Sequence, residues 1–142
     1  MRLDNYVVWC YNAKKVEKVL VLIYIGKINI EMFKGVSSRI LTDEVVLTDK
    51  QLVHILEKRI DTYEKYKDYL LDILQNPDYI LDDPKHKDTA LVLKKYDNTA
   101  EVVLRLSTDK IEKKNSIISM WEIKEPRLIR YLKTHKIVYK KD

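Results

Sequence analysis

The sequence contains only 2 glycines and 3 prolines in 142 residues. This shortage excludes a glycine-rich phosphate-binding loop, a collagen-like repeat and a flexible linker. The single cysteine, Cys10, cannot form an intramolecular disulfide, which favours a reducing compartment. The three histidines and the cysteine lack the clustered spacing of a zinc site. We therefore expect chemistry that needs no metal and no cofactor.

Long apolar runs are also missing. The longest, residues 19–25, is about a third of the roughly 20 residues that a membrane-spanning helix needs. Residues 1–8 include Asp4 and Asn5 and show no cleavable signal pattern. We therefore expect a cytoplasmic protein that has no membrane partner.

The composition that remains is that of a folded protein, with 46% hydrophobic and 35% charged residues. The length suits one domain over residues 1–142. Residues 85–142 contain 15 Lys and Arg against 8 Asp and Glu, whereas residues 1–84 contain 12 against 14. The basic second part favours a phosphate-bearing partner. A lysine-rich chain from an AT-rich genome would show the same bias.

The first half of the chain predicts strands and then helices. β-Branched and aromatic runs at residues 6–11 and 19–25 predict a hairpin, and residues 44–47 predict a short strand. The capping box at residues 48–51 begins a helix. A second helix is predicted over residues 63–75, ending before Pro77. The expected apolar stripe of the first helix consists of Leu52, Val53, Ile55, Leu56 and Ile60.

The second half changes to a strand period. Strands are predicted at residues 79–81, 89–96, 100–107 and 116–123, and they are expected to be antiparallel. Pro126 opens a last helix over residues 125–134, and residues 137–139 are an expected edge strand. The predicted fold class is α+β: an antiparallel sheet of about four to five strands with an N-terminal helical pair packed on it.

Three sequence blocks occur together in this chain. They are His-Ile-Leu-Glu-Lys-Arg at residues 54–59, Asn-Pro-Asp-Tyr-Ile at 76–80 and Asn-Ser-Ile-Ile-Ser-Met-Trp at 115–121. Their order and spacing over residues 46–139 resemble the phage-encoded nuclease-like domains of the barnase, EndoU, colicin and RelE superfamily. The resemblance implies a helical pair on an antiparallel sheet, with an RNA-cleaving site on the exposed sheet face. Residues 1–45 would add strands to that core.

The resemblance also implies roles for individual residues. The family pattern reads His-Ile-x-x-basic-His, followed later by a strand Ser or Thr. His54 matches the first histidine, Lys58 the basic position and Ser119 the hydroxyl position. Arg59 stands where the second histidine is expected, and arginine cannot readily act as a base because it stays protonated.

Cleaving RNA without a metal requires a base for the ribose 2′-hydroxyl, an acid for the leaving 5′-oxygen and cations for the phosphate. Histidine suits the first two roles, so His54 is the candidate acid or base. Arg59 is the candidate phosphate clamp, because a guanidinium holds two phosphate oxygens at once. The Ser119 hydroxyl is expected to bind a phosphate oxygen. The expected products are a 2′,3′-cyclic phosphate and a 5′-hydroxyl.

A second group of residues is expected to bind substrate. Trp121 shares a strand face with Ser119 and could stack on a base, whereas the odd spacing of Ser116 and Ser119 predicts opposite faces. For each candidate a solvated or core position is the plain structural alternative. His86 is interpreted as a solvated loop residue and His135 as a cation at a helix C-terminus. The full set of predicted substrate-binding residues is Lys58, Lys94, Tyr96, Arg105, Trp121 and Arg127, with Arg130 as a possible steering partner of Arg127.

Two functions therefore stand open at the level of sequence. The first is a ribonuclease or ribonuclease-like toxin, with RNA as substrate and an inhibitor or antitoxin protein as a further partner. The second is a catalytically inactive module of the same fold that binds RNA or protein, including a phage accessory domain. The missing second histidine supports the second function.

Overall fold

The described part of the chain contains eight strands in one mixed sheet. The structure, a computed structural model, describes residues 4–11, 16–109 and 113–142. The strand order is β1-β2-β3-β7-β6-β5-β4-β8, and every neighbouring pair is antiparallel except β3–β7. The strands are β1 Asp4–Tyr11, β2 Val16–Lys27, β3 Glu44–Thr48, β4 Tyr79–Asp82, β5 Thr89–Lys95, β6 Thr99–Arg105, β7 Asn115–Ile123 and β8 Ile137–Lys140.

Three α-helices accompany the sheet in the described residues: α1 Asp49–Tyr66, α2 Leu70–Gln75 and α3 Glu125–Thr134. Short 3₁₀ helices occupy Ile30–Phe33 and Lys67–Tyr69. The predicted start of α1 is confirmed, because the Thr48 hydroxyl accepts a hydrogen bond from the Gln51 amide at 3.2 Å. None of these helices is both long enough and apolar enough to cross a membrane.

The α+β class and the antiparallel strands β4–β7 are confirmed, but the predicted size of the sheet is wrong. The N-terminal hairpin β1–β2 and strand β3 belong to the same sheet, because β3 pairs in parallel with β7 through Val45–Asn115 and Val46–Ser116. The hairpin turn, residues 12–15, lies outside the described residues. Strand β8 pairs with β4 at the sheet edge, as the sequence predicts.

The helices are also placed differently from the prediction. The α1–α2 pair follows three strands and is not N-terminal. The predicted second helix over residues 63–75 has the wrong start, because α1 continues as far as Tyr66 and α2 begins at Leu70. The backbone of α1 is non-helical at Arg59, with φ −146° and ψ 50°. The predicted apolar stripe is too wide, since Ile55 is buried while Val53 and Ile60 are 52% and 54% exposed.

The two faces of the sheet carry separate cores. Alternate residues of β5 and β6, such as Val92 and Val102, pack with α1 and α2 on one face. The residues between them, such as Leu91 and Leu93, pack on the opposite face with Leu128 of α3. Because α3 is short, it covers only part of that second face. The uncovered part of the second face is where the candidate site lies.

Candidate functional site

A cavity of about 660 Å³ opens on the second face of the sheet. Strands β5, β6 and β7 form its floor, and α1, α3 and the β4–β5 loop form its walls. Its volume lies within the range of roughly 300 to 1,000 Å³ that is typical of ligand sites. All three histidines of the chain, His54, His86 and His135, line it. So do the three arginines Arg59, Arg105 and Arg127.

The wall beside β7 comes from α1 and carries His54 and Arg59. Among its sheet contacts, α1 touches β7 more extensively than β2 or β3, so it runs next to the floor strand. In an unbroken helix, two residues five positions apart point about 140° away from each other. The non-helical backbone at Arg59 interrupts this period, and both side chains line the cavity. The sequence prediction that they belong to one site agrees with this placement.

A bulge in β7 sets the orientation of its serines. Ser116 pairs with Arg105 and Ser119 with Val103, while the register shifts between these pairs. Residues paired across antiparallel strands share a face, and Arg105 and Val103 are two residues apart. Ser116 and Ser119 therefore point to the same face. The prediction of opposite faces is wrong because the bulge adds one residue between them.

The Trp121 ring is covered by arginine. The guanidinium carbon of Arg59 lies 3.1 Å from the ring centroid, and that of Arg127 lies 5.6 Å from it. Such contacts between a cation and a ring orient both groups. Trp121 shares the cavity face with Ser119, as predicted, but its ring holds Arg59 where the sequence suggested an open stacking surface for a base.

Glu101 is a buried carboxylate in the floor, only 3% exposed. Burial raises its pKa to about 7, against the opposing effects of Arg127, the Tyr131 hydroxyl and Arg59. Desolvation also disfavours the charged form of Arg59, and it therefore lowers the pKa of that guanidinium. A carboxyl group with a pKa near neutrality can both take up and release a proton under physiological conditions.

Three buried polar atoms at this site have no hydrogen-bond partner in the described structure: Arg59 Nε, Glu101 Oε1 and Ser119 Oγ. Each such atom costs about 1–3 kcal/mol of stability when it is left unpaired. All three belong to residues of one cavity. Arg59 Nε and Ser119 Oγ can each donate a hydrogen bond, and Glu101 Oε1 can accept one. This set suits a ligand that offers both acceptor oxygens and a hydroxyl group.

The loop between β4 and β5 forms a third wall. His86 Nδ1 lies 3.0 Å from Asp83 Oδ2, and the Lys85 amide donates to Asp83 Oδ1 at 2.9 Å. The Asp83 amide in turn donates to the carbonyl of Thr89 at 3.1 Å. The Asp83 carboxylate thus fixes the orientation of the His86 ring.

Helix α3 presents Arg127 and Tyr131, which are four residues apart on one face, and His135 at its C-terminal cap also lines the cavity. Arg127 Nη2 donates to the Tyr131 hydroxyl at 3.1 Å. The rings of Tyr131 and His135 lie 4.8 Å apart at an angle of 37°. The neighbouring Arg130 does not line the cavity.

Three predicted substrate-binding residues lie away from the cavity. Lys58 is exposed on α1. Lys94 donates to the carbonyl of Asn76 at 2.7 Å, and the Tyr96 hydroxyl donates to Asp72 Oδ2 at 2.9 Å. The strand alternation that places Lys94 and Tyr96 on one face, as predicted, aims them towards α2 and not towards the site.

Sequence reasoning missed Glu101, Asp83 and Tyr131. The predicted exposure of His86 and the predicted position of His135 at a helix C-terminus are confirmed, since the His86 side chain is 66% exposed and His135 caps α3, but the sequence did not predict that both line the cavity. Sequence analysis could have found Glu101, because it is the one acidic residue in the otherwise mainly apolar strand β6. It could not have placed the two histidines at the cavity, since they lie 32 and 81 residues from His54 along the chain. Among the described residues, no group of three or more His, Cys, Asp or Glu side chains could hold a metal ion.

Comparison with known proteins identifies the family of this chain. Searches of the curated proteins and of the solved structures found no match. Residues 25–140 match the family described as phage-Barnase-EndoU-ColicinE5/D-RelE like nuclease2. This range contains every residue of the cavity. The chain therefore belongs to the phage-Barnase-EndoU-ColicinE5/D-RelE like nuclease2 family.

Proposed function

We propose that the protein is a metal-independent endoribonuclease that cleaves RNA to a 2′,3′-cyclic phosphate and a 5′-hydroxyl. The observation that carries this proposal is the convergence of His54, three arginines and the buried Glu101 carboxylate on one cavity. These are the groups that proton transfer and phosphate binding require, and they come from distant parts of the chain.

Arg59, Arg105 and Arg127 supply the positive charge for the phosphate. Guanidinium groups bind phosphate oxygens in pairs, and they stabilise the negative charge that grows as the phosphorus becomes five-coordinate. Arg59 Nε and Ser119 Oγ lack partners, so each can donate to a phosphate oxygen. Trp121 holds the Arg59 guanidinium in place through its ring.

Glu101 and His54 are the proposed proton-transfer pair. Glu101 Oε1 is free to accept the proton of the ribose 2′-hydroxyl, and the pKa of about 7 keeps much of the carboxyl ionised at neutral pH. The 2′-oxygen then forms a bond to phosphorus while the bond from phosphorus to the 5′-oxygen breaks. His54, exposed at the α1 wall, gives its proton to the leaving 5′-oxygen. Glu101 thereby takes the role that a second histidine would fill at position 59.

A second function is favoured by the contact of Arg59 with Trp121 at 3.1 Å. This contact places a permanent cation where the family pattern has a proton-transfer residue. A module of the same fold that binds RNA without cleaving it would keep the arginines and need neither His54 nor Glu101.

The test is incubation of the purified protein with mixed tRNA and mRNA in EDTA, followed by identification of the fragment ends. Wild-type protein is expected to give cyclic-phosphate and 5′-hydroxyl ends. His54→Ala and Glu101→Gln should each lower the rate by about 10²-fold or more. Glu122→Gln, on the neighbouring strand and outside the cavity, is the matched control and should cleave normally.

Fragments with 3′-hydroxyl ends would refute the proposed reaction. Intact RNA with every variant, together with retained RNA binding by the wild-type protein, would support the non-catalytic module. Binding that is lost in Arg127→Gln would then locate the interface in the same cavity.

A further inference from the structure

Part of the cavity takes no role in the proposed reaction. It lies between the β4–β5 loop, residues 83–88, and the C-terminal half of α3. Tyr131 and His135 form one wall, and the loop with His86 forms another. We call this part the α3 pocket, defined by Asp83, His86, Tyr131, Thr134 and His135.

The α3 pocket has an aromatic wall that is held in place. The Tyr131 and His135 rings contact each other, with centroids 4.8 Å apart. The Tyr131 hydroxyl accepts from Arg127, and His135 Nδ1 lies 2.9 Å from the Thr134 hydroxyl. The His135 amide also closes α3 by donating to the Tyr131 carbonyl at 2.9 Å. Both rings are only half-buried, so they keep surface for a further planar group.

The loop wall is anchored at both ends, by the bond of the Asp83 amide to the Thr89 carbonyl at one end and by Asp88 at the other. The Leu106 amide donates to the Asp88 carbonyl at 2.8 Å, and the Thr108 hydroxyl donates to Asp88 Oδ2 at 3.0 Å. The contact of Asp83 with His86 Nδ1 leaves His86 Nε2 without a partner in the described structure. The loop wall therefore offers one hydrogen-bonding atom, on a side chain that is 66% exposed.

We propose that the α3 pocket binds the nucleobase of the nucleotide whose 3′-phosphate occupies the arginine-lined part. This inference rests on the proposed function, since it assigns the substrate's base to the same cavity. Flat aromatic side chains bind bases by stacking and do so for any base, because every base has a π face. The His86 Nε2 atom can add a hydrogen bond to the edge of the base.

The spacing on α3 fits a single nucleotide. Arg127 and Tyr131 are four residues apart in α3, which is roughly 6 Å along a helix, and His135 follows at the C-terminal cap. The ring pair therefore begins about one helical turn beyond the phosphate-binding Arg127, so a ribose can bridge the two parts. Tyr131 joins them, because its hydroxyl faces Arg127 and its ring faces His135.

The test measures the affinity of the full chain for the four nucleoside 3′-monophosphates and for inorganic phosphate by calorimetry. We expect at least one nucleotide to bind ten times or more tightly than phosphate. His135→Ala should weaken nucleotide binding by roughly 5- to 100-fold, the range for loss of one stacked base, and leave phosphate binding unchanged. His135→Phe keeps a ring at this position and should restore nucleotide affinity.

Two controls separate this proposal from the catalytic one. Arg127→Gln should weaken the binding of phosphate and nucleotide alike. Tyr69→Ala removes an exposed ring that does not line the cavity, and it should change neither affinity. Equal affinity for phosphate and for all four nucleotides, or a nucleotide affinity unaltered by His135→Ala, would overturn the α3 pocket. Failure of RNA cleavage with the expected nucleotide affinities would refute catalysis and leave the pocket standing.

Discussion

Replacement of Glu101 by glutamine should make the stability of the protein less sensitive to pH. Glutamine keeps the shape of the buried side chain and removes its ionisation. In the folded protein the carboxyl has a pKa of about 7 because it is buried, whereas its ordinary value is 4.5. Above pH 4.5 the unfolded chain releases this proton while the folded protein retains it, so ionisation favours unfolding.

The magnitude follows from these two pKa values. The stabilisation is complete below pH 4.5 and is lost as the pH rises through about 7. Because proton binding is linked to folding, the difference between the two pKa values lowers the free energy of unfolding by about 2.5 kcal/mol from pH 5 to pH 8. Wild-type protein should lose this amount of unfolding free energy relative to Glu101→Gln.

Urea denaturation of both proteins at pH 5, 6, 7 and 8 measures this difference directly. The Glu122→Gln protein is the control, because the hydrogen bond from Lys65 lowers the pKa of Glu122 and leaves it ionised throughout this range. Its difference from wild type should stay constant. The assigned burial and pKa of this carboxylate would be refuted if the difference in unfolding free energy between wild type and Glu101→Gln changed by less than about 0.5 kcal/mol between pH 5 and pH 8.

Three further predictions concern single side chains. Arg127→Gln should slow RNA cleavage at least about tenfold and reduce the dependence of binding on salt, while Arg130→Gln, which does not line the cavity, should stay within about twofold in the same gel assay; equal effects would contradict the proposed interface. Ile55→Ala should lower the free energy of unfolding, measured by urea denaturation, by about 2–5 kcal/mol. Val53→Ala, at a position that is 52% exposed, should lower it by less than about 0.5 kcal/mol. Similar losses for the two variants would mean that α1 is oriented differently. Gly26→Ala should lower the free energy of unfolding by about 1–3 kcal/mol, because Gly26 has φ +147° and an added Cβ would lie 2.5 Å from Leu71 Cδ1. Adding Leu71→Ala to this variant should restore only the part of the loss that is due to the steric contact. An unaltered urea midpoint for Gly26→Ala would refute the close approach.

Sequence patterns located the elements well where local chemistry determines them. The Thr48 cap and the Pro126 helix start depend on residues that are neighbours in the chain. Other features depend on distant residues. The parallel pairing of β3 with β7 joins Val45 to Asn115, and no local pattern specifies such a pair.

The same distinction applies to the candidate site. The sequence by itself determined the family and singled out His54, Arg59, Ser119, Trp121, Arg105 and Arg127, all of which line one cavity. It could not decide which face of the sheet the helices leave open. The sequence therefore predicts Lys94 and Tyr96 as substrate-binding residues, although both side chains contact Asp72 on the opposite face.

Only the tertiary structure decided which other groups join those six residues. Packing of α3 across one end of the second face brings Tyr131 and His135 to the cavity, and the anchored loop brings His86 there. Burial under these elements changes the Glu101 carboxylate from an ordinary acid into one that titrates near neutrality. A residue's type is written in the chain, but its proton affinity depends on the solvent that its neighbours exclude.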